Sequence, residues 1–443
     1  MLNGGEDRLS LHLGLVALFL GVAFHVDGAG RQFTISWIDL FAAGVLVAGA
    51  VHAWRRRVVR IDLVLLAYVA ILLVVLVQAL VLPDPWSTIG ASSRFLTPLA
   101  VVFGLSQLAP GRGESARSWA PAFLVFGLAL AVWTLAQLAR ALVGTEATTF
   151  YDVKNVIALP IGASNYLAAF LLVSALIGLV YAATRRDWNV VAAIVVLGLV
   201  GTLSRGAMLA FGVALVLGAW LARSWQLLAA AGATAVIALA VFAGVGGGER
   251  DLERLGAAAA GSVELAASTA AVPAPPEVTV HEASDVAVHA AQDPNTNGRI
   301  VLYEAAWNAF LDDPWLGVGL NRLETVTAET GPPHVNAHNL ELHALASVGI
   351  LGTIPYLAIW ALLAWRLRRI GSGTERTALA VATTGLFAHA QIEALAFTRG
   401  IEVVIALLLV LAGSHAGAVG IREFALHRRR AARALDGPRP APR

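Results

Sequence analysis

Apolar runs of about twenty residues recur along almost the whole chain, and no other feature restricts its fold so strongly. A helix of that length crosses a hydrocarbon core about 30 Å thick. Within lipid each run must be helical, because no water is present to satisfy bare backbone groups. Composition agrees: 58% of the 443 residues are hydrophobic and 14% are charged, against roughly a quarter charged in soluble proteins. The sequence predicts an all-α polytopic membrane protein of about 12 transmembrane helices. The spans fall at 9–26, 34–54, 61–82, 92–109, 119–143, 160–183, 188–203, 207–222, 225–245, 345–365, 377–396 and 401–420. Residues 9–25 could pass for a signal peptide, but Arg8 stands beside Glu6 and Asp7, so the segment reads as a retained first helix.

Charge sets the orientation. With the N-terminus inside, the inner loops hold Arg55, Arg56, Arg57 and Arg60, then Arg112 and Arg117, then Arg185 and Arg186, then Arg223. Arg366, Arg368, Arg369 and Arg376 follow, and the tail adds Arg422, Arg428, Arg429, Arg430, Arg433, Arg439 and Arg443. Counting Arg8, these are 21 of the 31 basic residues. Positive charge on short loops holds them in the cytoplasm. The expectation is an inner-membrane protein with both termini cytoplasmic and its chemistry on the outer face. Trp37, Trp54, Trp86, Trp119, Trp188, Trp220, Trp225 and Trp365 fall near span ends, where an indole sits best. The absence of cysteine excludes disulfides, thiolate nucleophiles and cysteine-ligated metals.

The chain divides into nine spans over 1–245, a large outer loop over 246–344, spans ten to twelve over 345–421, and a basic cytoplasmic tail over 422–443. Within the loop, 246–298 is rich in Ala, Val, Glu and Pro, including Val272-Pro-Ala-Pro-Pro276, and reads as flexible. Residues 299–344 read as the helical part that carries the site: an amphipathic helix at 299–311, a turn at 312–319 and a helix from 336.

Four arginines, Arg94, Arg140, Arg205 and Arg399, lie at the outer ends of different spans. Charge beside hydrocarbon is expensive and usually faces a working cavity. Converging guanidinium groups suit phosphate oxygens. Snorkelling, or isolated ion pairs such as Arg399 with Glu393, is the competing reading. A second constellation is His334-Val-Asn-Ala-His338-Asn339-Leu-Glu341-Leu-His343 at the mouth of span ten. A histidine there can act as a general base. The spacing of His334 and His338 also admits a metal, although Pro333 argues against a continuous helix there and no HExxH pattern supports one. A helix-capping or interfacial role for His338 is the plain structural alternative.

His338-Asn339, then nine residues, then Gly349 resembles the signature of bacterial O-antigen ligases. Ser204-Arg205-Gly206-Ala207 resembles a second element of that superfamily. So does Gly298-Arg299 leading a helix that ends in Pro314-Trp-Leu-Gly-Val-Gly319. The resemblance covers 199–362 by motif and the remainder by topology. The superfamily also holds O-antigen polymerases and protein O-oligosaccharyltransferases.

The resemblance implies a GT-C-like membrane glycosyltransferase. It would move a glycan from undecaprenyl diphosphate to a hydroxyl of a glycan or lipid A-core acceptor, with no metal or other cofactor. Its partners would be these substrates and membrane lipids, not nucleic acid. Arg205 and Arg299 would grip the diphosphate and His338 would take the acceptor's proton. Arg94, Arg140, Lys154, Asn339 and Arg399 are assigned to substrate binding. Arg94, Arg140, Lys154 and Arg399 enter by position rather than by motif. The His-Asn-x9-Gly spacing leans toward ligase over polymerase. A transporter or flippase remains the non-enzyme alternative, with His389 and Glu393 inside span eleven as a relay.

Overall fold

The computed structural model describes residues 23–28, 31–83, 85–108, 119–143, 150–157, 164–245, 297–320, 322–323, 336–393, 395–416 and 421–425. The protein is a polytopic, predominantly helical membrane protein. Among the described residues, eight helices are long and apolar enough to cross a membrane. They are α1 (Trp37–Arg56), α2 (Leu63–Val81), α4 (Ser93–Leu108, entered through the short α3, Pro85–Ala91), α5 (Trp119–Val143), α7 (Ser164–Ala182), α9 (Arg205–Ala222), α10 (Trp225–Gly244) and α12 (Leu340–Arg369). The shorter or more polar helices α8 (Asn189–Gly201), α13 (Thr374–Ala390) and α14 (Arg399–Ala416) take the places of predicted spans seven, eleven and twelve. Two further short helices are α6 (Phe150–Val156) and α11 (Asn297–Asp312).

The expectation of an all-α chain needs correcting at two places. Residues 1–22, most of predicted span one, lie outside the described residues. Its end forms strand β1 (Ala23–Gly28), paired antiparallel with β2 (Arg31–Ser36) from Gly28↔Arg31 to Ala23↔Ser36. Phe24, Val26, Phe33, Thr34 and Ile35 are residues that favour a pleated surface over a helix. A second pair, β3 (Val58–Asp62) with β4 (Ile421–Ala425), ties the segment after α14 to the connection between α1 and α2.

Two contacts define the ends of the bundle. At one end, Gln107 exchanges hydrogen bonds with the backbone of Arg60 (2.9 and 2.8 Å). Beside it the buried Arg366 pairs with Asp62, and its Nη1 donates to the Leu409 carbonyl at 2.8 Å. A buried guanidinium needs such partners, since an unpaired charge there would cost several kcal/mol. Asp62 also caps α2, accepting from the Val64 amide at 3.0 Å. Between the ends, α1 and α4 approach through Gly49 and Gly104, where an added Cβ on Gly104 would stand 2.3 Å from the Val45 carbonyl oxygen. Small residues at such crossings let membrane helices pack by van der Waals contact.

The other end is organised by a break in α12. Gly349 has φ 59° and ψ −169°, a conformation that is essentially confined to glycine. The Pro314-Trp-Leu-Gly-Val-Gly319 turn fills the break. The amides of Ile350 and Leu351 donate to the Pro314 and Trp315 carbonyls (2.9 and 3.2 Å), and the Val318 amide donates to Ala346 (2.9 Å). From α2, the buried Gln78 side chain donates to the carbonyls of Leu316 (2.5 Å) and Ser347 (2.8 Å) and accepts from the Leu320 amide. Backbone groups left without helical partners are thus satisfied rather than buried bare. The spacing from Asn339 to Gly349 acquires a physical meaning: Asn339 caps the helix, and Gly349 breaks it where the turn docks.

α11 lies along this segment with Leu302, Ala305, Ala306 and Ala309 buried. It spans 297–312, close to the expected 299–311, whereas α12 starts at Leu340 and not at 336.

Replacing Gly349 with valine forces a Cβ toward the Trp315 carbonyl oxygen, 2.3 Å from where it would stand. Adding the unfavourable backbone, the substitution costs about 3 kcal/mol. Thermal unfolding of the purified protein in detergent should show a clear fall in Tm; an unchanged Tm would mean the break is not as described.

Candidate active site

The segment between α13 and α14 carries Glu393, whose side chain is 5% exposed. Three chains of sequence meet on this carboxylate. Asn165, in the first turn of α7, donates to Oε2 at 2.6 Å. Arg299, in the first turn of α11, approaches Oε1 at 3.3 Å. His338, immediately before α12, places Nδ1 3.6 Å from Oε2. Gly206, in the first turn of α9, allows the close packing: a Cβ there would stand 2.9 Å from the Glu393 Cγ. Arg205 beside it, Lys154 on α6 and the buried His389 at the end of α13 complete the electrostatic surroundings.

Local backbone structure fixes the histidine. His338 takes φ 53°, and its amide donates to the Asn336 Oδ1 at 2.9 Å. Asn336 in turn donates to the Ala396 carbonyl at 3.3 Å. Asn339 caps α12, accepting from the Leu342 amide at 2.9 Å, and its Nδ2 donates to the Gln391 carbonyl at 3.3 Å. The Gln391 side chain donates to Glu341 at 3.1 Å. Three asparagine and glutamine side chains therefore tie the His338 segment to the Glu393 segment. The His338 Nδ1 is buried against the carboxylate, while the side chain as a whole is 26% exposed.

The charges decide the state of the carboxyl. Burial alone would raise its pKa, but the contact with His338 and the charges of Arg299, His389 and Lys154 outweigh that, and the net shift is downward. Glu393 is a carboxylate at neutral pH. The Lys154 pKa is lowered, first by burial and then by Arg205 and Arg299, with Glu393 opposing. An anionic ligand entering this site would meet the Arg299 guanidinium and the Lys154 ammonium around one carboxylate, with Arg205 acting on Lys154.

The remaining sequence-picked residues divide. Arg399 binds Asp39, at the start of α1, at 2.5 Å, and Ser93 at 2.6 Å. The Arg399–Glu393 pair offered by the competing reading does not form: Asp39, far away in sequence, reaches Arg399, while Glu393 stands against His338. Arg94 lies within electrostatic range of Arg399 and Tyr166. Arg140 is exposed near the end of α5, and among the described residues no ion pair includes it. Glu393 lies beyond the end of α13 rather than inside a span. The only signal for it in the sequence was an acid at the outer end of an apolar run. Asn165 and Asp39 gave none. His334 lies outside the described residues, and among those described no group of three or more His, Cys, Asp or Glu could hold a metal ion.

Because the folded-state pKa of Glu393 lies below its unfolded value, its contribution to stability is present above the ordinary carboxylate range and lost as pH falls through the lowered value. Glu393→Gln should cost about 2 kcal/mol at neutral pH. It should also flatten the loss of Tm between neutral and acidic pH; an acid slope identical to that of the parent protein would contradict an ionised Glu393.

Compared with known families, residues 190–357 match the O-Antigen ligase family. The matched segment includes Arg205, Arg299, His338, Asn339 and Gly349. No curated protein matches the chain significantly. Residues 190–357 are thus similar to the O-antigen ligase family.

Proposed function

We propose that the protein transfers an oligosaccharide from undecaprenyl diphosphate to an acceptor hydroxyl at the periplasmic face of the inner membrane, as an O-antigen ligase. One observation carries this reading: the His338 imidazole and Arg299 meet on the buried Glu393 carboxylate, with Lys154 in electrostatic range of it and Arg205 in range of Lys154. The match over 190–357 supports the glycan-transfer class.

In this reading the acceptor oxygen forms a bond to the anomeric carbon as the bond from that carbon to the diphosphate breaks. The acceptor's proton passes to the His338 Nε2. Glu393 faces Nδ1, so a proton on Nδ1 is stabilised and Nε2 is left as the basic nitrogen. The diphosphate leaves with its electron pair, and Arg205, Arg299 and Lys154 stabilise the negative charge that develops on it. Arg299 keeps donors for this task, because a single Nη2 contact ties it to Glu393 and its side chain is 26% exposed. Asn339 serves the site by capping α12 and holding Gln391. The His-Asn-x9-Gly spacing favours ligase over polymerase, so lipid A-core is the preferred acceptor. The contact of Glu393 with His338 supports a transferase over a transport relay.

His338→Ala should lower transfer about a thousandfold while the protein stays folded and inserted. Reversing the charge of Arg205 or Arg299 should weaken undecaprenyl diphosphate binding. Near-normal transfer by the alanine variant would remove the base. Transfer by the purified protein should survive EDTA, and a strong chelator effect would require a metal. Transfer to a second lipid-linked glycan in preference to lipid A-core would make the enzyme a polymerase.

A further inference from the structure

Side chains from neighbouring helices hold the backbone of the connection between α13 and α14, which carries Glu393. Asn339 donates to the Gln391 carbonyl near its start, and Asn336 to the Ala396 carbonyl near its end. Glu402, fully buried in the first turn of α14, holds the next residue. Its Oε1 accepts from the Phe397 amide at 3.2 Å and from the Tyr356 hydroxyl of α12 at 2.8 Å. Phe397 needs this support. Its φ is 57°, in the left-handed region where a bulky side chain is strained. Its ring lies 5.1 Å from His343 and 4.8 Å from Tyr356, which stand before and after the Gly349 break, and 5.0 Å from Phe95 of α4. Backbone hydrogen bonds carry the constraint back to Glu393: the Thr398 amide donates to the Leu395 carbonyl at 3.2 Å, and the Leu395 amide to the Glu393 carbonyl at 2.8 Å.

A carboxyl group inside a membrane bundle is expensive. Glu402 is poorly compensated, because its Oε2 is buried with no hydrogen-bond partner. Among the described residues no ion pair includes it. Packing alone would be served better by an apolar side chain of the same size. What Glu402 adds is an acceptor, placed where the strained Phe397 amide and the Tyr356 hydroxyl both reach it. The mechanism above leaves this group unused.

We infer that Glu402 is a positioning residue for glycan transfer: by accepting from the Phe397 amide it fixes the connection that sets Glu393 against His338 and Arg299. Its effect on catalysis rests on the transferase reading above. Glu402 meets no substrate in this account and acts only through Glu393. A displacement of about 1 Å at a catalytic group can cost about a hundredfold in rate. The role requires an acceptor and not a charge. Glutamine keeps an oxygen at Oε1 and should serve, whereas leucine removes it.

The test uses the full chain in detergent, with Glu402→Leu and Glu402→Gln compared in glycan transfer and in thermal unfolding. The leucine variant should lose about a hundredfold in kcat, with KM for the lipid-linked donor within about threefold of the parent. The glutamine variant should stay within about threefold of the parent in both. An equal loss in the two variants would mean that the carboxyl itself is needed, and a loss confined to KM would place Glu402 in donor binding; either overturns the inference. Thermal unfolding gives a readout free of activity. Neither variant titrates at position 402, and the stability contributed by the ionised Glu393 is lost as pH falls. Asn165 of α7, Arg299 of α11 and His338 ahead of α12 contact Glu393, with Lys154 of α6 and His389 of α13 in electrostatic range, and all remain in both variants. The fall in Tm between neutral and acidic pH should therefore be smaller with leucine, where Glu393 is released, than with glutamine. Equal falls would mean that Glu393 keeps its place without Glu402, which overturns the inference. If the leucine variant does not fold, Tyr356→Phe removes one of the two hydrogen bonds and keeps the ring. It should lower kcat about fivefold, and an unchanged kcat would count against the inference. Absence of transfer by the unaltered protein would strike at the transferase reading instead, and the acid fall in Tm would still decide whether Glu402 positions Glu393.

Discussion

The site depends on one buried negative charge. Arg299, Arg205 and Lys154 come from three helices far apart in sequence, and without a counter-charge they would repel one another beside a low-dielectric membrane. Glu393 supplies that charge and, in the same place, faces the His338 Nδ1. One carboxylate thus gathers Arg299 and Lys154 and stands against the imidazole. Asn165 satisfies it further, and the missing side chain at Gly206 lets it sit close to α9. More than one cation shares this carboxylate, so positive charge is retained that one-to-one pairing would have cancelled.

The architecture places this chemistry at helix beginnings. Arg205 opens α9, Asn165 and Arg299 lie in the first turns of α7 and α11, and His338 and Asn339 immediately precede α12. Ser93 and Arg94 open α4, and Arg399 opens α14. The first amides of each helix have no intrahelical acceptor and carry partial positive charge. A set of helices that start at one end of a bundle therefore favours anions there before any side chain is considered. The break in α12 belongs to the same design. It lets the turn after α11 dock against the helix just beyond His338, so that Arg299 and His338 are fixed on one framework.

Much of this was legible from the residues. Apolar run length located helices at eleven of the span positions, because the hydrocarbon thickness leaves few alternatives. Arg205 and His338 stood out by their positions at the outer ends of spans, and Arg299 through the resemblance of Gly298-Arg299 to a family motif. Pairing was not legible. Arg399 had Glu393 six residues away and Asp39 at the far end of the chain, and only helix packing decides between them: α14 lies against α4, which lies against α1. Arg140 occupies a comparable sequence position to Arg94, yet it ends a helix on an exposed face instead of beginning one at the site. The strands at 23–36 were hidden because an apolar run with aromatic and β-branched residues reads equally as membrane helix or as strand.

The central claim concerns where a lipid-linked diphosphate rests, and a cryo-electron microscopy structure of the protein with an undecaprenyl-diphosphate oligosaccharide tests it most directly. The account predicts diphosphate oxygens within hydrogen-bond distance of Arg205 and Arg299, with the His338 Nε2 facing the anomeric carbon and Glu393 behind the ring. A diphosphate bound away from both arginines, with His338 buried against protein on both edges, would contradict it.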